Sequence, residues 1–300
     1  MTTYRPATPE DTPALYMILK TSISDLIGRT SPRTATGLDD PNAWERSRPL
    51  WEHLARTADR CWVAIDDGGR PVGYARAILR DGDRELTEFF VLPGSQSSGV
   101  GRELLGRAFP AGEGARHRSI IATGDPRALA RYFKTGLVAR FAIATFSRVP
   151  ERVDVATDLV LEPASASPQV LAALGRIDRR VIGHRRDEDH RWLLANRRFV
   201  AARRGEQVVG YAYSGRALGP IAALDPADLP ALLAWAESAA ADVVPPGEEQ
   251  GFEVPFPNRT AIAFLLGRGY RMDPFLTHFL SDGPAGTFDR YVVMSPPIFV

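Results

Sequence analysis

The groups best suited to chemistry in this sequence lie between Glu85 and Arg102. Two carboxylates, Glu85 and Glu88, sit on an apolar run that includes Leu86, Phe89, Phe90, Val91 and Leu92 and stops at Pro93. The spacing predicts a strand there. A polar turn from Gly94 to Gly101 follows, and Arg102-Glu103-Leu104-Leu105 opens a helix. A strand feeding a glycine-containing turn into a helix N-terminus suits an anion. The first amides of the helix have no internal partner, and its dipole end is positive. Two common phosphate loops fail on particular residues. A P-loop needs Lys and Ser/Thr where Val100 and Gly101 stand, and a dinucleotide turn needs a third glycine where Leu104 stands.

A second segment adds to the first. Asp125-Pro126 has the form of a helix start, with Asp as N-cap and Pro in the first turn. The helix carries Ala128, Leu129, Tyr132 and Phe133 and stops at Gly136. Tyr132 is a phenol with an unperturbed pKa of about 10, so it holds its proton at neutral pH and can donate it.

The series Val91-x-Pro93-x-x-Gln96-x-x-Gly99-x-Gly101 resembles the acetyl-CoA pyrophosphate loop of the GNAT N-acetyltransferase superfamily. The downstream series Asp125, Ala128, Tyr132, Gly136, Leu137 resembles a second GNAT segment, with Asp for its usual Asn and Leu for its usual aromatic. The resemblance implies an N-acetyltransferase that moves an acetyl group from acetyl-CoA, as co-substrate, to a primary amine of a small molecule or peptide. It implies that the strand splays from its neighbour, so that the thioester lies beside Phe90 and Val91, with the amide near Val91 as oxyanion donor. The pyrophosphate would lie on Gln96, Ser98, Gly99, Val100, Gly101 and Arg102, with Asp125 a further contact. Tyr132 would be the acid for the leaving thiolate. Glu85 is the first choice of base and Glu88 the second. Three apart on a regular strand, they point to opposite faces, and Glu85 shares the face of Val91 unless a bulge changes the parity. The alternative is an acetyl-CoA-binding sensor with little catalysis, which needs the loop but neither side chain.

These groups must be held by a sizeable scaffold. Three hundred residues suggest two domains of ordinary size. The hydrophobic fraction of 44% and charged fraction of 24% are those of a globular chain. A net charge of +1 provides no overall field for nucleic acid or anionic membrane, and neither is expected as a partner. The one cysteine, Cys61, excludes an internal disulfide and fits a cytoplasmic setting. Five histidines show no ligand spacing, so no metal is expected. No secretory leader or membrane span is evident.

The scaffold reads as two copies of one unit. Val72-Gly73-Tyr74-Ala75 recurs 137 residues later as Val209-Gly210-Tyr211-Ala212. Asp125, Ala128, Gly136 and Leu137 match Asn258, Ala261, Gly269 and Tyr270 at an offset of 133. Near-equal offsets argue for a tandem duplication. The expected fold is α/β (α+β): two tandem GNAT-like domains, 1–150 and 151–300, each a mixed, mostly antiparallel twisted sheet flanked by helices. The second lacks the loop. Its equivalent stretch, Gly219 to Pro230, has no Gln-x-x-Gly-x-Gly and contains Pro226 and Pro230, which remove amide donors. Thr30 to Asn42 reads as a loop over the cleft, Pro49 as a break in a helix, and Ser295 to Val300 as an edge strand.

Overall fold

A computed structural model describes residues 1–30, 38–96, 99–295, 297 and 299. It divides into two compact units, Met1–Ile120 with Gly124–Val138, and Ile121–Thr123 with Ala139–Val300.

The first unit begins with β1 (Thr3–Pro6), α1 (Thr12–Thr30) and α2 (Ala43–Thr57). Helix α1 buries Leu15, Ile18 and Leu19 at helical spacing, then Leu26 and Ile27 two turns on. Helix α2 buries Leu50, Trp51 and Leu54. It runs on through Pro49, which was expected to kink or break it. Pro49 is exposed, so the carbonyl its ring deprives of a donor is on the water side of the helix.

Next come β2 (Ala58–Ile65), β3 (Pro71–Arg80), β4 (Asp83–Val91), α3 (Val100–Ala108), β5 (His117–Thr123) and α4 (Pro126–Lys134). The β2–β3 hairpin closes where Asp66 Oδ1 accepts from the amides of Gly68 and Arg70, at 3.0 and 2.9 Å. The order is β1-β2-β3-β4-β5, antiparallel except for the parallel β4–β5 pair. The closed end of that pair is tied by Ser119 Oγ donating to Asp83 at 2.5 Å. Buried Arg84 ties it further, bonding Asp59 and the carbonyls of Pro110, Gly112 and Glu113 at 2.8–3.0 Å.

The chain continues with β6 (Val138–Arg148), β7 (Val160–Glu162), α5 (Pro168–Val181), α6 (Asp187–Asn196), β8 (Arg198–Arg204) and β9 (Gln207–Ser214). It ends with β10 (Ile221–Ala223), α7 (Leu229–Ala241), β11 (Gln250–Pro255), α8 (Arg259–Gly267), β12 (Arg271–Ser281) and β13 (Tyr291–Val292). From β7 to β12 the order of helices and strands repeats the order from β1 to β6. Strands β7 to β10 form an antiparallel sheet, with β13 added beside β10. The last strand is therefore at 291–292, ahead of the stretch expected to form it; Pro296, Ile298 and Val300 lie outside the described residues.

Strand β6 departs from simple succession. It pairs with β11, from Ile143↔Pro255 to Arg148↔Gln250. All of β6 but its first residue belongs to the second compact unit, as do Ile121–Thr123. Phe146 of β6 packs in one core with Leu232, Phe252 and Leu265.

Glu253 on β11 is buried, and its carboxylate accepts from Thr145 Oγ1 at 3.0 Å. Burial raises its carboxyl from 4.5 to about 7. Below pH 4.5 the group is protonated whether the chain is folded or not. As pH rises through 7 the folded protein must ionise a buried acid, and stability is lost. Glu253→Gln is therefore expected to raise the unfolding free energy measured in urea at pH 8 by about 1–3 kcal/mol, and to leave it unchanged at pH 4.

Candidate active site

The site is built where β4 loses its neighbour. The β4–β5 ladder runs only from Asp83↔His117 to Glu85↔Ser119, while β4 continues to Val91. On its other side β4 stays paired with β3 up to Leu92, whose amide donates to Val72 at 2.9 Å. Antiparallel partners alternate between bonded and unbonded pairs. The backbone of Phe90, opposite Tyr74, is thus turned to β3, and that of Phe89 and Val91 to the side β5 has left. Gln96 Nε2 donates to the carbonyl of Val91 at 3.0 Å and fixes the strand end against the turn.

The turn delivers α3 to the same place. Gly99 is its N-cap at φ 86°, a left-handed conformation that favours glycine. Gly101 has ordinary dihedrals and sits close against its neighbours. A methyl there would stand 3.1 Å from Phe89 Cζ and 3.5 Å from the Arg131 guanidinium. Bare amides at a helix N-terminus, a bare glycine and a guanidinium make a fitting cradle for a phosphate diester. Val100 is buried; Arg102 is exposed, 3.8 Å from Glu103. Ser98 lies outside the described residues, as does most of the expected cleft loop, 31–37.

Phe89 leads from the cradle to Tyr132, the two rings meeting edge-on with centroids 6.1 Å apart. Tyr132 is the buried side chain of α4. Burial, with the Asp125 carboxylate second, pushes its phenol well above the ordinary value, so it stays protonated through neutral pH. Asp125 caps α4, accepting from the Arg127 amide at 2.8 Å, and pairs with the Arg127 guanidinium. Burial works against its charge, but the bonds from Arg127 outweigh it and hold its pKa low. Its carboxylate is thus committed to the helix start.

The two glutamates occupy the other face of the sheet. Thr87 is an extra residue in β4: Arg76 faces Glu88 and Ala77 faces Leu86. The bulge reverses the parity expected of a regular strand. Glu85 stands opposite Ile78 and Glu88 opposite Arg76, so both share the face of Tyr74. Val91 stands opposite Gly73, on the face of Leu104 of α3. Glu85 therefore does not share the face of Val91. Phe90 also joins the Tyr74 face, packing with Leu15 and Ile18 of α1.

Glu88 is the hub of a buried triad. Tyr74 Oη donates to Oε1 and Arg76 Nη1 to Oε2, each at 2.6 Å, with both ion-pair side chains 2% exposed. Burial raises the Glu88 pKa, and the Arg76 charge opposes it. Sequence reasoning did not find Tyr74, Arg76, Phe89 or Arg131 as site residues. The signal for Tyr74 was present in the repeated Val-Gly-Tyr-Ala.

The matching tyrosine of the second unit does the same work. Tyr211 Oη donates to Asp178 Oδ1 at 2.6 Å, and Asp178 Oδ2 takes Arg186 at 3.0 Å and His190 at 2.7 Å. Before α7, in contrast, the chain makes a one-turn 3-10 helix, Pro226–Asp228, capped by Asp225. Asp225 accepts from the Ala227 amide at 2.9 Å, and Asp228 is ion-paired with Arg204 at 2.8 Å. Among the described residues no group of three or more His, Cys, Asp or Glu is arranged to hold a metal, and no helix is long and apolar enough to cross a membrane.

Residues 29–136 match the model of the acetyltransferase (GNAT) family. No curated protein sequence matches the chain. Among solved structures, a Pyrococcus horikoshii protein assigned as an acetyltransferase superposes with a TM-score of 0.74 at 17% identity, over 97% of this chain and 92% of its own. A GCN5-related N-acetyltransferase from Sphaerobacter thermophilus gives 0.60 at 14% identity, over 93% and 95%. A tandem GNAT protein from the clavulanic acid biosynthesis pathway gives 0.59 at 16%, over 95% and 99%.

The triad makes a stability prediction. Glu88→Gln leaves Arg76 buried without its counter-charge and is expected to cost about 3–5 kcal/mol, whereas Arg76→Met with Glu88→Leu is expected to restore most of it. Urea unfolding of the three proteins measures the difference.

Proposed function

We propose that this chain, whose residues 29–136 match the model of the acetyltransferase (GNAT) family, moves an acetyl group from acetyl-CoA to a primary amine of a small molecule or peptide. The observation that carries the reading is the divergence of β4 from β5 beside the N-terminus of α3. It frees the backbone of Phe89 and Val91 in the place where a thioester chain running on from the cradle would meet it.

Acetyl-CoA supplies an activated carbonyl with a thiolate leaving group. The amides of Val100 and Gly101, with Arg131 and Arg102, bind the pyrophosphate. The Val91 N–H donates to the carbonyl oxygen as negative charge develops there, and the rigid β3–β4 ladder holds it in position in advance. The amine nitrogen bonds to the carbonyl carbon, the carbon–sulfur bond breaks, and Tyr132 gives its proton to the departing sulfur. A carboxylate on the α1 face takes one proton from the ammonium to free the amine; the second, shed as the nitrogen becomes an amide, goes to water, from which Tyr132 regains its own. At roughly 3.3 Å per residue, Glu85 is about 20 Å along the strand from Val91, and Glu88 about 10 Å. Glu88 is therefore the better placed base. Its raised pKa suits the task, and its bond to Tyr74 gives the proton a route.

Tyr132→Phe is expected to lower kcat by about 100-fold or more, with acetyl-CoA binding within a few-fold of wild type, when turnover is followed across a panel of amines. Gly101→Val is expected to abolish acetyl-CoA binding in a titration. Tight binding with no turnover on any amine, indifferent to Tyr132→Phe, would make the protein a sensor and sink the enzyme reading.

A further inference from the structure

We propose that the second unit keeps a counterpart of the thioester slot and fills it with the chain's own strand β13, so that its ligand is a peptide strand and the whole chain takes one acetyl-CoA. That one acetyl-CoA rests on the reading of the first unit given above. The counterpart positions follow from the register. Across β3 and β4, Gly73 faces Val91, Tyr74 faces Phe90 and Ala75 faces Phe89. Across β9 and β10, Gly210 faces Ala223, Tyr211 faces Ala222 and Ala212 faces Ile221. Leu92 donates its amide to Val72 at 2.9 Å, and Leu224 to Val209 at 2.8 Å. Each glycine lies against a leucine of the next helix, Leu104 of α3 or Leu232 of α7. Ile221, Ala222 and Ala223 thus stand in the second unit where Phe89, Phe90 and Val91 stand in the first.

In the first unit the β4–β5 ladder has ended before this edge. In the second unit the edge is covered. Strand β13 runs antiparallel to β10, with Val292 opposite Ile221 and Tyr291 opposite Ala222. The Ala223 amide is the counterpart of the Val91 amide proposed as oxyanion donor. It donates to the carbonyl of Arg290 at 3.3 Å. On its far side the segment reaches β11, the counterpart of β5, where the Val293 amide donates to the Glu253 carbonyl at 2.9 Å. Asn258, at the position of Asp125, caps α8 and also gives its Nδ2 to the Tyr291 carbonyl at 2.9 Å.

The bland account is that β13 only covers a sheet edge. An edge strand needs one neighbour, whereas this segment is bonded to β10 and to β11, and Tyr291, Val292 and Val293 are fully buried. The replacement is chemically apt. The arm of acetyl-CoA that ends in the thioester is an extended chain carrying amides, and a peptide strand offers donors and acceptors to an open edge in the same way. Without either, the outward amides of Ile221 and Ala223 would be left unpaired among buried apolar groups. The group that would serve the chemistry is gone as well: Leu265 is buried on α8 where Tyr132 is buried on α4. An acyl-CoA could enter this slot only by displacing part of the core.

Hydrogen exchange of the full chain, read amide by amide by NMR, together with calorimetric titration of acetyl-CoA, tests this. In the free protein the amides of Ile221 and Ala223 are expected to exchange at least about 100-fold more slowly than those of Phe89 and Val91. Saturating acetyl-CoA is expected to bind at one molecule per chain, to slow Phe89 and Val91, and to leave Ile221 and Ala223 unchanged. Gly101→Val, shown to be folded by circular dichroism, is expected to bind none. Exchange of Ile221 and Ala223 as fast as that of Phe89 and Val91 in the free protein overturns the proposal. So do two acetyl-CoA molecules per chain, or binding in Gly101→Val that alters the exchange of Ile221 and Ala223. Acetyl-CoA bound by neither unit overturns the reading of the first unit instead, and exchange in the free protein then still decides the place of β13.

Discussion

A strand cannot keep both edges paired and also offer its backbone to a ligand. In this protein β4 resolves the conflict along its length. Its first residues, Asp83 to Glu85, are paired on both sides and tied by Arg84 and Ser119. Its later residues keep β3 and give up β5. Everything in the candidate site depends on that transition. It frees the Val91 amide, gives Gln96 a carbonyl to hold, and leaves Phe89 to fill the space between α3 and Tyr132.

The bulge at Thr87 divides the labour between the two faces. The first amides of α3, Arg131 and Tyr132 gather on the α3 and α4 side; Glu85, Glu88, Tyr74 and Arg76 gather on the α1 side. A buried carboxylate in an apolar sheet would be costly alone. Tyr74 and Arg76 make it tolerable by occupying both oxygens, and the same burial lifts the Glu88 pKa toward that of a useful base.

The two units share a plan and differ where chemistry would occur. Tyr74 and Tyr211 both bind a buried carboxylate that also holds an arginine, although one carboxylate comes from β4 and the other from α5. This solution to burying a tyrosine hydroxyl is retained with its packing. The helix N-termini have diverged instead. At α3 the first amides follow Gly99, whereas α7 is preceded by a 3-10 turn capped by Asp225, and Asp228 is ion-paired with Arg204.

Much of this was legible in the sequence, because it rests on local rules. Apolar periodicity marked α1, β4 and α4; Asp125-Pro126 marked a helix start; the glycine spacing marked the anion cradle; and the recurrence of Val-Gly-Tyr-Ala marked the repeated order of elements. What the sequence could not determine were the features set by pairing between distant segments. A regular period of two put Glu85 and Glu88 on opposite faces, and only the register against β3 shows the extra residue that unites them. Linear order placed β6 with the first half of the chain, and only its ladder with β11 places it in the second unit. Arg131 carried no signal of its own, since its role comes from the approach of α4 to a glycine thirty residues earlier. Local propensity decides which segments are strands and helices; the tertiary structure decides which edges meet, and in this protein the missing edge makes the site.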